Sequence, residues 1–502
     1  MLRKTVGGLS LLGMIAAFVI LGIMCCMAFQ KGASAESVQV YSATLEQDGV
    51  VCNVTVDAQR EGEAQYKDVP FQVSIRNQGK DFKGYLCIFT GESQGKTVQY
   101  RKYIALAKDE HKDFTFTVTT SKYQGTVTIG FSDKEGKIQN TTSLAISDQK
   151  DTFVDAYEVD DGYYYDYDYL REGVSTGETD LIPNIALYVL VLLVYIIFVG
   201  PVAYMLLRRR HKRQLLWVVV PVSAVICSIL IYLLGTGTRI QNPYVTYLSQ
   251  LTVGEGNTDV LHTTFALTSP NNGGYQVEAK DNGSIAPGFG LYGGIYDVTK
   301  QQTDDKLILE KGKDKTKILV KDSAAFDKNF FQNDQKVDAD GQFTLTGVSA
   351  TEQGLTGTIT NRLSYDVVDT IVALNGKICR IGTLKQGQSY DLSKIKQSDV
   401  WTMNGIDEWE EIINMMYTGD MNGYNLDNAA QMRRMMLLKY YGQTHLSTDE
   451  KTGELVFDNS NVVYGFRADG KETAFTKMFE LNKYGETAVA QPIKNTDVST
   501  PN

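Results

Sequence analysis

Apolar and polar residues alternate in short runs over most of this chain. Phe71, Val73 and Ile75 alternate, as do Phe114, Phe116 and Val118, and then Val127, Ile129 and Phe131. A period of two puts one set of side chains on a buried face, so each run predicts a half-buried strand. Turn signals at Asn77-Gln78-Gly79, at Gln94-Gly95-Lys96 and between Asp133 and Gly136 separate the runs. Residues 36–150 therefore predict one β-sandwich. Later, Thr370 to Leu374 and Lys377 to Ile381 flank Asn375-Gly376. That is a two-residue hairpin of type I′, whose twist matches its strands.

Two stretches break the alternation with unbroken apolar runs, residues 185–207 and 215–235. Each is long enough to cross a hydrocarbon core of ~30 Å at ~1.5 Å per residue. The connector, residues 208–214, holds Arg208, Arg209, Arg210, Lys212 and Arg213. Positive charge of this density stays on the cytoplasmic side, so these five residues set the topology. Gly200-Pro201 inside the first span and Pro221 in the second weaken the helix where a passive tether has no reason to. Gly200 and Pro201 thus become candidate contacts to the spans of a membrane-protein partner. At the start, a basic tetrapeptide, an apolar run and Ala33-Ser34-Ala35 form a secretory signal over residues 1–35, with an uncleaved anchor as the alternative. Residues 36–150 and 240–502 are then both extracytoplasmic.

Residues 151–184 mix tyrosine with acids and show no apolar period, which predicts an extended, solvated stalk. Beyond the spans, 240–348 reads as a β-rich region, 349–403 as a second sandwich-like segment and 443–492 as a terminal β segment. The tail 493–502 is polar and loose. Between the last two β segments, residues 404–442 form a helical insertion. Ile406, Trp409, Ile412, Ile413 and Met416 recur at helical spacing, and a second helix runs to a stop at Gly442. Six methionines lie in or between these helices, and the adjacent Met435 and Met436 point about 100° apart. Not all can share one buried stripe, so Met421, Met432 and Met435 are candidate exposed partner contacts.

A weak internal repeat links the two β segments. Ser74 to Asn77, Gly84 to Phe89 and Ile104 to Glu110 form one copy. Thr358 to Asn361, Thr370 to Leu374 and Ile381 to Gly387 form the other. Two sandwiches built on one plan explain it. The sequence as a whole predicts a mainly β protein. Two extracytoplasmic β-sandwich-like (Ig-like) lobes are joined by a two-helix transmembrane hairpin, with a helical insertion in the C-terminal lobe.

The 502 residues carry a net charge of −10, which argues against a nucleic-acid partner. Only four histidines and six cysteines are present, so material for a metal site is scarce, and no cofactor is expected. His111, His262 and His445 read as lone surface histidines, because a catalytic base needs a positioned partner. Asp407-Glu408 with Glu410-Glu411 suits a helix start better than glycosidic chemistry. Cys52 and Cys87 read as buried thiols, with a disulfide as the alternative.

The hairpin carries Val199-Gly200-Pro201-Val202-Ala203-Tyr204, Leu206-Leu207-Arg208, Trp217, Pro221, Ile231 to Gly235 and Arg239. This resembles a largely uncharacterised family of Gram-positive bacterial membrane proteins with a secreted Ig-like N-terminal domain. The resemblance implies a bacterial envelope setting and association with an ABC transporter or an AAA+ ATPase. The function expected is that of a non-enzymatic accessory or scaffold subunit of a membrane complex. A surface glycan- or peptidoglycan-binding module and a cryptic extracytoplasmic hydrolase are the alternatives.

Overall fold

The computed structural model describes residues 40–57, 66–93, 96–121, 125–132, 138–146, 165–176, 185–210, 213–238, 242–254, 259–280, 284–288, 306–312, 314–402, 406–420, 428–444, 446–448, 455–457, 461–468 and 472–493. The signal segment, Met421, Lys212 and the tail from residue 494 lie outside them. The protein is mainly β, and the described residues form three larger sheets and two small ones.

The alternating runs form strands as expected. Phe71, Val73, Ile75, Phe116, Val118, Val127, Ile129 and Phe131 all point into the core. A four-stranded sheet of Val40–Gln47, Val50–Asp57, Tyr66–Asn77 and His111–Ser121 faces a second sheet containing Phe82–Ser93 and Lys96–Leu106. At the predicted hairpin, Asn375 and Gly376 both adopt positive φ, 46° and 73°, as a type I′ turn requires.

The second sheet does not end where the N-terminal segment ends. Strand Lys306–Lys311 pairs in parallel with Lys96–Leu106, in register Lys306 with Thr97 through Leu309 with Tyr100. Lys315–Val320 and Tyr275–Lys280 extend it to seven strands. Residues 36–150 are therefore not a closed unit, since three strands from beyond the apolar helices complete their sheet. Side chains fix the join. Arg101 Nε donates to Glu310 Oε1 at 2.6 Å, and Lys96 Nζ reaches Asn329 Oδ1 at 2.9 Å. One apolar core runs on from Leu45 and Phe71 to Phe265, Phe331 and Val489.

A nine-stranded sheet forms the C-terminal lobe, with Tyr244–Thr252 and Asn482–Pro492 at its centre. Its outer face carries the helices Ile406–Thr418 and Ala429–Thr444. Gly442 does not stop the second helix. It lies inside, because a side chain there would meet the Trp409 ring at 2.4 Å, and Trp409 Nε1 donates to Leu438 O at 2.9 Å. A third helix, Tyr165–Ser175, occupies part of the stretch expected to be an extended stalk. It buries Tyr169, Leu170 and Val174 in the same cluster. A Cβ on Gly173 would sit 2.6 Å from Leu248 and 3.0 Å from Met436, so only glycine permits the approach. The helix Ala429–Thr444 is thus covered on several sides. Met432 is 8% exposed and Met435 0%, which corrects the expectation that either meets a partner. An apolar stripe is needed only by a helix with one buried face.

The internal repeat is present as hydrogen bonds. Asn77 Nδ2 donates to Leu106 O and Ala107 O while its Oδ1 accepts from Gly79 N. Asn361 Nδ2 donates to Leu384 O and Tyr365 O while its Oδ1 accepts from Leu363 N. Both are fully buried. The turns match atom for atom: Lys108 N donates to Asp81 and Gln386 N to Asp366.

The apolar runs form helices. Tyr188–Arg209 and Leu216–Leu233, of 22 and 18 residues, are long and apolar enough to cross a membrane, and almost none of either is buried.

Candidate functional site

One of the differences between the two repeat copies builds a site. In the first copy Gly84 pairs flat with Ile104. In the second the pairing slips twice, between Val367 and Thr370 and between Thr370 and Ile371. Asp369 is extruded at φ 48°, next to the pair of Thr370 with Gly382, itself at φ 81°. A bulge of this kind re-aims a side chain. The Asp369 carboxylate accepts from Arg380 and, at 2.7 Å, from Arg434 Nη1. Arg434 Nε also donates to Glu486 Oε2 at 3.2 Å. Arg380 reaches on to Met416 O at 3.2 Å and lies 5.0 Å over the Tyr417 ring. Helix, bulged strand and central strand meet in this one network.

Its electrostatics are uneven. Burial works against the Asp369 carboxylate, yet two guanidinium groups overcome it and hold its pKa below the usual range. Burial wins at Glu486, with repulsion from Asp369 added, and its pKa is raised despite Arg434. A cleft of about 420 Å³ opens beside Glu486, lined by Tyr247, Arg434, Arg467, Glu472 and Lys483. It exists because strand Val462–Arg467 pairs with the last strand only from Ala488 onward. Residues 482–487 run beside Tyr244–Thr252 alone. Asp369 and Glu486 are held by guanidinium groups and Glu472 by the Lys483 ammonium, which fixes the charges around the cleft in place.

His262 is not a lone surface histidine. Its Nδ1 pairs with Asp334 and its ring stacks 6.4 Å from Tyr440. Burial opposes the charged ring, but the Asp334 charge and hydrogen bond raise its pKa. His111 stays exposed, 3.0 Å from Ser74 Oγ, and His445 lies outside the described residues. Cys52 and Cys379 are buried free thiols in the core, with pKa values pushed by burial to about 12. Cys87 is buried on the opposite sheet face, beside Phe89 and hydrogen-bonded to Gln99 Nε2, so the two N-terminal thiols do not meet.

The residues singled out in the sequence lie elsewhere. Arg208, Arg209 and Arg210 are exposed at the end of the first apolar helix, and Arg213 opens a short 3₁₀ turn. Gly200 and Pro201 fall in a π-helical turn, Phe198–Val202, and nothing lies within 4 Å of the Gly200 face. The widened turn is how the chain absorbs the missing proline N–H. No sequence signal links Asp369, Arg434 and Glu486; the nearest one is the adjacent Arg433-Arg434 inside the helix Ala429–Thr444, where buried guanidinium groups need acids.

Residues 342–496 match a family described as a domain of unknown function, DUF8725, and residues 53–147 a second, DUF8726. No curated protein matches the chain. Among solved structures, the Northeast Structural Genomics Consortium target SoR45 aligns at 14% identity over 20% of this chain and 89% of its own, with a TM-score of 0.15. The yeast delta-COP-I mu-homology domain, complexed with a Dsl1 peptide, aligns at 9% identity over 50% of this chain and 94% of its own, with a TM-score of 0.19. Neither likeness carries an argument about this protein.

Proposed function

We propose that the chain is a non-enzymatic cell-envelope membrane protein. In this reading it is an accessory or scaffold subunit that carries two Ig-like outer lobes on a two-span hairpin. One observation supports the topology above others. Strand Lys306–Lys311, from beyond the apolar helices, shares a sheet with Lys96–Leu106, from before them. Segments that share a sheet lie on one side of any membrane, so the helices between them cross and return. The basic residues 208–213 then mark the cytoplasmic turn. The resemblance of the hairpin to Gram-positive envelope proteins agrees with this setting and with an ABC-transporter or AAA+ ATPase partner. The hairpin leaves most of its surface uncovered, and its open π-helical turn at Gly200-Pro201 suits docking to partner spans.

The test has two arms. A cysteine at Tyr103 should react with an impermeant maleimide on intact cells, and one at Arg210 only after permeabilisation. The reverse pattern sinks the topology. Replacing residues 185–235 with an unrelated two-span hairpin should leave the lobes folded but lose co-purifying partners. Unchanged co-purification removes the docking role.

A further inference from the structure

The loop between strands Lys315–Val320 and Lys328–Val337 presents an apolar tip, Ala324-Ala325-Phe326, to the outside. Phe326 is 52% exposed and sits at φ 64°. A bulky residue in the left-handed region is an outlier that the surroundings must hold in place. They do so with a set of short bonds. Phe326 N donates to Ser269 O at 2.7 Å, Asp327 N to Ala324 O at 3.0 Å and Gly273 N to Ser323 O at 2.9 Å. Ala325 N donates to Asn272 Oδ1 at 2.7 Å, and Lys96 Nζ reaches Asp327 from the other lobe at 3.2 Å. The loop is built to hold an aromatic ring outward.

Its place in the fold says toward what. The chain leaves the second apolar helix at Thr238 and begins its first C-terminal strand at Tyr244. Tyr244 pairs with Thr268, and Thr268 with Lys328, two residues from Phe326. On the other side of the hairpin, the helix Tyr165–Ser175 ends at the same spot. Lys328 Nζ donates to Ser175 O at 3.1 Å and Arg433 Nη2 to Thr176 O at 2.9 Å. Both passages between lobe and hairpin therefore converge on the sheet end that bears Phe326. At most ~3.6 Å per residue, the link from Thr238 to Tyr244 keeps that end within about 20 Å of the second span.

We infer that Ala324-Ala325-Phe326 is a membrane anchor: Phe326 inserts into the interface of the outer leaflet and fixes the lobes against the bilayer beside their own hairpin. This rests on the reading that the hairpin spans the membrane. Lys321, Asp322, Asp327 and Lys328 around the tip nearly balance. Attachment is then apolar rather than electrostatic, and it does not weaken with salt.

The test uses the full chain in nanodiscs, with or without lipid bearing a nitroxide near the headgroup. Phe326→Trp is placed in a Trp217→Phe background, and quenching is read against that background alone. The wild type read against Trp217→Phe reports the hairpin, and Tyr103→Trp on the exposed sheet face reports the lobe away from the bilayer. The expected result is strong, salt-insensitive quenching at position 326 and at Trp217, with none at position 103. Quenching at Trp217 without quenching at 326 overturns the anchor and leaves the hairpin reading intact. An unquenched but blue-shifted signal at 326 assigns the tip to a protein contact and also overturns it. No quenching at Trp217 overturns both. Should Phe326→Trp fail to melt like the wild type, Ala325→Trp takes its place with the same outcomes.

Discussion

The Asn77 and Asn361 modules share a frame and differ in what the frame carries. In each, a buried asparagine ties the end of one strand to the carbonyls of a later one, and an aspartate caps the same turn. Around Asn77 the strands pair without interruption through Gly84, and the sheet edge waits for a strand from far along the chain. Around Asn361 the strand is broken to aim Asp369 at two arginines, and helices cover the face. The pins hold the fold, and the departure from them marks the site. A duplicated frame thus separates residues needed for shape from residues placed for another purpose.

The largest effect should come from depriving the first module of its borrowed strands. Residues 40–146 alone expose the edge that covers Val98 and Tyr100, and open apolar edges aggregate. We expect no cooperative melt, restored by co-expression with residues 242–493. A normal melt of the fragment alone would show that the modules are independent.

Next come the pins. Asn77→Ala and Asn361→Ala each leave several buried backbone groups without a partner, at about 1–3 kcal/mol per group. Denaturant titration of the full chain should show a loss of about 3 kcal/mol for each. A large loss at one and none at the other breaks the equivalence.

Asp369→Asn keeps an acceptor but strands charge on Arg380 and Arg434, and should cost about 2 kcal/mol at neutral pH. The folded pKa of Asp369 is depressed, so its contribution is present above the unfolded value of about 3.9 and is lost as pH falls through the folded value. The variant's stability should fall less steeply in acid than the wild type's. Parallel curves would remove Asp369 from the acid transition.

The smallest effect is expected at His262. Its folded pKa is raised by Asp334, so its stabilisation is full below the unfolded value near 6.5 and fades as pH rises through the folded value. His262→Gln should lose about 1 kcal/mol at pH 6 and less at pH 9. A loss that grows with pH contradicts the pairing.

Period-two alternation marked the strands carrying Phe71, Phe116 and Ile129, and Asn375-Gly376 announced its turn. Both are local signals. The parallel pairing of Leu307 with Val98 joins residues roughly 200 positions apart, and no local pattern encodes such a register. The helix Tyr165–Ser175 escaped notice because acids surround its few apolar residues, and its burial depends on Gly173 meeting Leu248 and Met436. The methionines misled for a related reason: periodicity assumes one buried face, and Met435 and Met436 are both fully buried. Of the site, no residue was singled out in the sequence. The bulge at Asp369 arises from a slip in pairing, and the run Val367-Val368-Asp369-Thr370-Ile371-Val372 around it reads only as an apolar strand interrupted by two polar residues.

The strand exchange at Lys306–Lys311 also sets a schedule. A nascent chain finishes Lys96–Leu106 roughly 200 residues before its sheet partner exists, which at ~5–20 residues per second is a delay of about 10–40 s. Both apolar helices are synthesised within that interval. The first lobe is therefore closed by the second, after the hairpin has been made. Any event that stops synthesis between the two leaves the edge at Lys96–Leu106 open, and an unfinished chain is then the form most prone to pair with another.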